Sequence, residues 1–359
     1  MPTPPRPGFL DQLGLVVPVI QAPMAGVATP ALAAAVCAAG ALGSIGLGAS
    51  DPAGARRLIA GVRQATDRPF NVNVFVHAPP IRDPQREAGW LAHLAPHFEA
   101  FGAVPPASLQ PLFGTFDDQM LAVLVDTAPA VVSFHFGLPD RERVAALRDV
   151  GALLLATVTN VSEGLAARRA GIDAIVAQGI EAGGHRGVVD PTAPDAGLST
   201  SVLTRLLVTE VDLPVIAAGG IMDGAGVAAA LDLGAVAAQL GTAFIACHES
   251  AADAAYRAAL LDRDRARTVL TTAISGRPAR CLVNRMTELG RELGDVARPD
   301  FPVAYDAARM LHTVASARGE FGYAAHWAGQ GAPLARSLPA GDLVGLLVEE
   351  QRAAGRLRA

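Results

Sequence analysis

Short apolar runs, most closed by Gly, Asn or Pro and followed by Ala-rich stretches of helical periodicity, recur through the first 245 residues. The runs predicted as strands are VVPVIQAP (16–23), LGSIGLG (42–48), FNVNVFV (70–76), VVSFHFG (131–137), ALLLATV (152–158), DAIVAQG (173–179), PVIAAGG (214–220) and AVAAQLG (235–241). Most are apolar throughout rather than alternating, the pattern of parallel strands covered on both faces. Helical patterns follow several of them: TPALAAAVCAAG, DPAGARRLIAGVRQA, SEGLAARRAG and GAGVAAALDLG. Eight such units predict an α/β fold, a closed (β/α)8 TIM barrel, with a doubly wound open sheet as the alternative.

Two stretches exceed a minimal barrel. HAPPIRDPQREAGWLAHLAPHFEAFGAVPPASLQPLFGT (77–115) is too long for a βα loop, and its Pro-rich, partly helical pattern predicts a helical insertion after the third strand. Placed there, it roofs the face where barrels keep their chemistry. Residues 250–359 carry further helical pattern and end LARSLPAGDLVGLLVEEQRAAGRLRA. The expected organisation is a barrel over 1–249 and a mostly helical extension over 250–359, a small second domain covering the same face.

Composition narrows the function. At 359 residues, 51% apolar and 18% charged, the chain has ample core material and too little charge for a disordered chain. A net charge of −5 and 5% aromatic residues leave no basic footprint and few stacking platforms, so nucleic acid is not an expected partner. All 29 basic residues are Arg, which removes lysine Schiff-base and P-loop chemistry. The opening MPTPPRPGFLDQLG lacks a charged n-region and an apolar h-region, and no uninterrupted apolar run is long enough for a bilayer. A soluble, cytoplasmic protein without a membrane partner is expected. Cys37, Cys247 and Cys281 are odd in number and without a CxxC pair, and His77, His93 and His97 lack an acidic companion at ligand spacing, so neither disulfides nor a metal is expected.

The predicted strand ends carry the candidate chemistry. Gly219, Gly220, Gly241 and Thr242, at the ends of the last two strands, could bare backbone N–H groups for a phosphate or simply turn the chain. Asn73 and Gln178 are amides inside apolar runs and need partners, whether a satisfied core or a planar ring with alternating donors and acceptors, such as an isoalloxazine edge. Pro23-Met24 suits either core packing or the face of such a ring.

In AQGIEAGGHRG (177–187), three glycines allow a tight loop, and His185 behind them can titrate near neutral pH as a base or anion partner. Arg186 supplies fixed positive charge or pairs with Glu181. His135, among apolar neighbours in the fourth run, fits a core histidine and an active-site wall equally. Tyr256, Tyr305 and Tyr323 fit helix packing as well as a pocket lining.

Taken together, QAPMAG (21–26), FNVN (70–73), SFHFG (133–137), AQGIEAGGHRG, AAGGIMDG (217–224), QLGTAF (239–244) and HWAGQGAPLAR (326–336) resemble the nitronate monooxygenase family, formerly 2-nitropropane dioxygenase, in its bacterial class I branch. The resemblance implies an FMN-dependent barrel enzyme that oxidises alkyl nitronates, propionate 3-nitronate above all, with O₂ through a flavin semiquinone. Nitrite and an oxo product are released. It also implies that Asn73, Gln178, Gly183, Gly220 and the stretch Gln239, Leu240, Gly241 and Thr242 bind FMN, and that His185 is the active-site histidine; from their own positions at the strand ends, His135 is a second catalytic candidate and Pro23, Met24 and Gly219 are expected beside the cofactor.

Nearly the same glycine-histidine loop resembles FMN-dependent enoyl-acyl carrier protein reductases and NAD(P)H:quinone reductases, the alternative function. A non-catalytic flavin-binding barrel is the alternative from another class. Monomer and homodimer are both compatible with the sequence.

Overall fold

A computed structural model of the chain describes residues 8–294 and 296–356. The first seven residues of the opening segment and the last three of the terminal run lie outside the described residues. The strands are β1 (Val19–Gln21), β2 (Ser44–Gly46), β3 (Asn71–Phe75), β4 (Val131–His135), β5 (Leu153–Val158), β6 (Ala174–Gln178), β7 (Gly184–His185), β8 (Val215–Ala218), β9 (Ala237–Leu240), β10 (Thr268–Thr271) and β11 (Ala279–Leu282). Eight of them, each within one of the predicted runs, form a parallel sheet in the order β1-β9-β8-β6-β5-β4-β3-β2. A parallel bridge between Ile20 and Leu42 joins its two edges. The Gln21 N–H donates to the Leu42 carbonyl at 2.9 Å, and the Leu42 N–H to the Val19 carbonyl at 3.0 Å. This is a nearly closed TIM barrel.

Strand parity sorts the side chains. Val72, Phe134, Leu154, Ile175 and Val215 point outward into the core shared with the surrounding helices. Ile20, Val131, Leu155, Val176, Ile216 and Ala237 point inward and fill the barrel, closed below by Phe9 of the short helix Phe9–Gln12 and by Leu13 just after it. Nearer the strand ends the inward positions become polar: Asn73, Ser133, His135, Thr157, Gln178 and Gln239. The mouth is therefore lined by hydrogen-bonding groups above an apolar floor.

The helices Pro30–Ala38, Pro52–Ala65, Val161–Ala170 and Gly224–Asp232 occupy the predicted stretches. Asp51, Asn160 and Asp223 cap three of them by accepting from the N–H three residues on, and Thr29 caps the first in the same way. The insertion contains the helix Pro84–Ala100, whose Trp90, Leu94 and Phe98 pack against Val303, Ala307 and Leu311 of the helix Val303–Ser316. Two carboxylates fasten this roof: Asp300 accepts from Ile81 N–H at 2.9 Å, and Asp306 from Gln110 N–H at 3.0 Å.

Two features of 250–356 qualify the expected, mostly helical cover. β10 and β11 form an antiparallel hairpin that β7 extends to three strands, with His185 opposite Ala279. The terminal helix Ala340–Arg356 does not cover the mouth. It joins the outer ring, where Leu343, Val344 and Leu347 pack with Val227, Leu32 and Val36. Among the described residues no helix is long and apolar enough to cross a membrane.

Candidate active site

A cavity of about 440 Å³ lies between the strand ends and the roof. Pro23, Met24, Asn73, His135, Gln178, Gly183, His185, Gly219, Gly220, Gln239, Gly241 and Thr242 all line it. Leu240 does not. Parity turns Gln239 inward and Leu240 outward, so the Leu240 side chain is buried in the core between strand and helix. Tyr256, Tyr305 and Tyr323 also line the cavity, as do Trp327 and Arg309.

Gly183 and Gly219 show why glycines crowd here. A Cβ on Gly183 would lie 2.5 Å from the Gly329 nitrogen, in the WAGQG segment that threads between the loops. Gly219 has φ +131°, and a Cβ there would lie 2.6 Å from Thr200 Oγ1. The N–H groups of Gly219, Gly220 and Gly241 donate to no atom of the described residues.

The two amides divide their bonds between protein and cavity. Asn73 Nδ2 donates to the Ser133 carbonyl at 3.1 Å and to Ser133 Oγ at 2.9 Å, while its Oδ1 takes no bond from the described residues. Gln178 Oε1 accepts from Gly187 N–H at 2.7 Å and from Arg186 Nη1 at 3.1 Å. Its Nε2 gives one proton to the His185 carbonyl at 2.9 Å and keeps another. Gln178 thus braces the loop carrying the histidine as well as facing the cavity.

Arg186 is buried and does not line the cavity. Its guanidinium pairs with Asp195 through two bonds of 2.7 and 3.1 Å and donates to the Gln178 and Gly179 carbonyls, both at 2.9 Å. Asp195, not Glu181, is its partner. Glu181 instead accepts from Thr200 N–H at the start of the following helix.

His185 sits in an aromatic collar of Trp327, Phe301 and Phe136, with ring centroids 5.0, 5.2 and 5.7 Å away. Its Nε2 lies 2.8 Å from Ser275 Oγ, and its Nδ1 bonds to no described residue. Burial, the neighbouring His135 and Arg277 push its pKa down to about 3, so the ring is neutral at pH 7 rather than titrating near neutrality as the sequence suggested. His135 is pushed down to about 4 by burial and Arg277, and donates Nε2–H to the His185 carbonyl at 3.2 Å. That bond ties the His135 ring to the His185 backbone.

Phe136 has φ +75°, a costly conformation for a bulky residue. The Arg277 guanidinium lies 4.1 Å over its ring, and no carboxylate pairs with this buried cation among the described residues. Ser275 and Arg277 were not foreseen from TTAISGRPARC, which shows no motif; β11 brings them to the site. His77 and His97 do not cluster: the first bonds the Ala78 carbonyl, the second Tyr323. The three cysteines are free and buried. No group of His, Cys, Asp or Glu among the described residues is arranged to hold a metal.

The family model described as nitronate monooxygenase matches residues 8–350. A nitronate monooxygenase of Paraburkholderia phytofirmans is 58% identical over 95% of this chain and 94% of its own. The solved structure of nitroalkane oxidase from Streptomyces ansochromogenes is 42% identical with a TM-score of 0.90, covering 98% of this chain and all of that one. FabK from Thermotoga maritima is more distant, 30% identical with a TM-score of 0.74 over 97% of both chains. Matched along nearly its whole length, the chain belongs to the nitronate monooxygenase family, oxidoreductases that act on nitronates.

Proposed function

We propose that the chain binds FMN in the barrel mouth and oxidises alkyl nitronates with O₂, releasing nitrite and a carbonyl product, with propionate 3-nitronate as a substrate. The residues present fit the cofactor. Partnerless N–H groups at Gly219, Gly220 and Gly241 suit a phosphate, and Asn73 Oδ1 with the spare Gln178 N–H suits the edge of a ring that both donates and accepts. When bound, FMN supplies the one-electron redox chemistry that the chain's own side chains lack.

The protein's part is to bind, orient and exclude water. The observation that carries the nitronate reading is the neutral, roofed imidazole of His185 with a bare Nδ1. A ring held near pKa 3 is a weak base, so removing a carbon-bound proton is uphill by about 1.4 kcal/mol for each unit of mismatch. A substrate that arrives already as the anion avoids that step. Such an anion also raises the proton affinity of the ring it touches. A nitronate is therefore expected to bind together with a proton on His185, its nitro oxygens against the imidazolium and its chain along Tyr256, Tyr305 and Trp327. The roof keeps water from this ion pair, which strengthens it.

The test is direct. Purified protein should be yellow with an FMN spectrum, and propionate 3-nitronate with O₂ should yield stoichiometric nitrite. A yellow protein that releases no nitrite but is bleached anaerobically by NADH would replace this reading with the reductase one.

A further inference from the structure

Ser275 lies between β10 and β11 and is fully buried. Its Oγ is 2.8 Å from His185 Nε2, donates to the Arg277 carbonyl at 3.1 Å, and accepts from Arg277 N–H at 3.3 Å. A hydroxyl has one proton and two acceptor sites. The buried Arg277 carbonyl accepts from no other described group. With the hydroxyl proton on that carbonyl, Arg277 N–H and His185 Nε2–H fill both acceptor sites, and the hydroxyl, the Arg277 peptide groups and His185 Nε2–H are all paired. The opposite arrangement, Ser275 donating to Nε2, strips the carbonyl of its only donor, which a buried group tolerates poorly.

We propose that Ser275 is a positioning residue that holds His185 in its Nε2–H form and so confines proton exchange with the cavity to Nδ1. His135 cannot substitute, because its Nε2–H is committed to the His185 carbonyl. The nearest cation, Arg277, is occupied with the Phe136 ring and the Val188 carbonyl. With a neutral nitroalkane the step is a proton transfer. The α C–H bond breaks, an N–H bond forms at Nδ1, and the electron pair passes into the nitro group to give the nitronate. Nε2–H stays bonded to Ser275 before and after, so neither ring nor hydroxyl has to turn, and the proton later returns to water. A preformed nitronate needs no such transfer and depends less on the tautomer. This deepens the proposed function and rests on it for substrate, but not for the hydrogen-bond assignment.

The experiment joins a spectrum to a kinetic comparison. In flavin-loaded protein labelled with ¹⁵N-histidine, with the His185 signals assigned by their loss in His185→Asn, Nε2 should be protonated and Nδ1 bare at pH 7. In Ser275→Ala that tautomer should be mixed or inverted. The kcat on nitroethane should fall at least about tenfold, within the range of a misplaced general base, with a smaller change on propionate 3-nitronate. A wild-type spectrum showing Nδ1–H overturns the proposal, as does a Ser275→Ala enzyme with the wild-type tautomer and equal losses on the two substrates. If Ser275→Ala does not fold, the wild-type spectrum decides alone. A chain that oxidised no nitronate would sink the proposed function and still leave that spectrum to judge Ser275.

Discussion

His185 can be replaced by Asn without emptying the cavity, since its backbone carbonyl is what Gln178 and His135 hold. His185→Asn is therefore expected to lower kcat on neutral nitroalkanes by about 100-fold or more while flavin content per chain stays near wild type. Acidification acts through the same burial. His135, His185 and His326 have folded pKa values of about 4, 3 and 4, below the unfolded value near 6.5. Between those limits the unfolded chain binds more protons, so stability is full above pH 6.5 and falls as pH drops toward 4. Each imidazole adds up to about 1.4 kcal/mol per pH unit to that slope. Thermal melts from pH 7.5 to 4.5 should show a steepening loss, and a flat profile would contradict the neutral state assigned to these rings. The density of glycine before His185 made that residue readable in the sequence. The partner of Arg186 was not readable, because Glu181 is nearer along the chain and Asp195 nearer in space.

At the scale of elements, the barrel strands were legible because each is an apolar run buried on both faces, a pattern that survives without knowledge of neighbours. The hairpin was not. TVLT and ARCL are four residues long, and the first is only partly buried, so neither departs from the helical pattern around it. β7, two residues long, exists only because β11 lies beside it. The facing of Leu240 was hidden for a related reason: a run of buried residues does not reveal which positions face in until one anchor fixes the parity. The loops give sharper tests. Gly183→Ala drives a Cβ into the backbone of Ala328 and Gly329, and the strain of such overpacking is about 1–3 kcal/mol. Both the melting temperature and the flavin retained on purification should drop. Asp195→Ala strands the buried Arg186 guanidinium, and about 2 kcal/mol or more of stability should go with it, read by denaturant unfolding.

For the molecule as a whole, the ring of helices is completed from the far end of the chain. Leu343, Val344 and Leu347 are buried against Val227, Leu32 and Val36, and each contributes about 1.5–3 kcal/mol by leaving water. Removing residues 340–359 should therefore give insoluble or unfolded protein rather than an open but functional barrel, as solubility and circular dichroism would show. This return was not legible beforehand, since an amphipathic helix looks alike wherever its apolar stripe finds cover.

The bond between His185 and Ser275 spans 90 residues. On the ribosome, the loop bearing the imidazole is made long before the hydroxyl bonded to it. The imidazole of a half-synthesised chain therefore has no Ser275 hydroxyl to hold its tautomer until the later hairpin has emerged and docked.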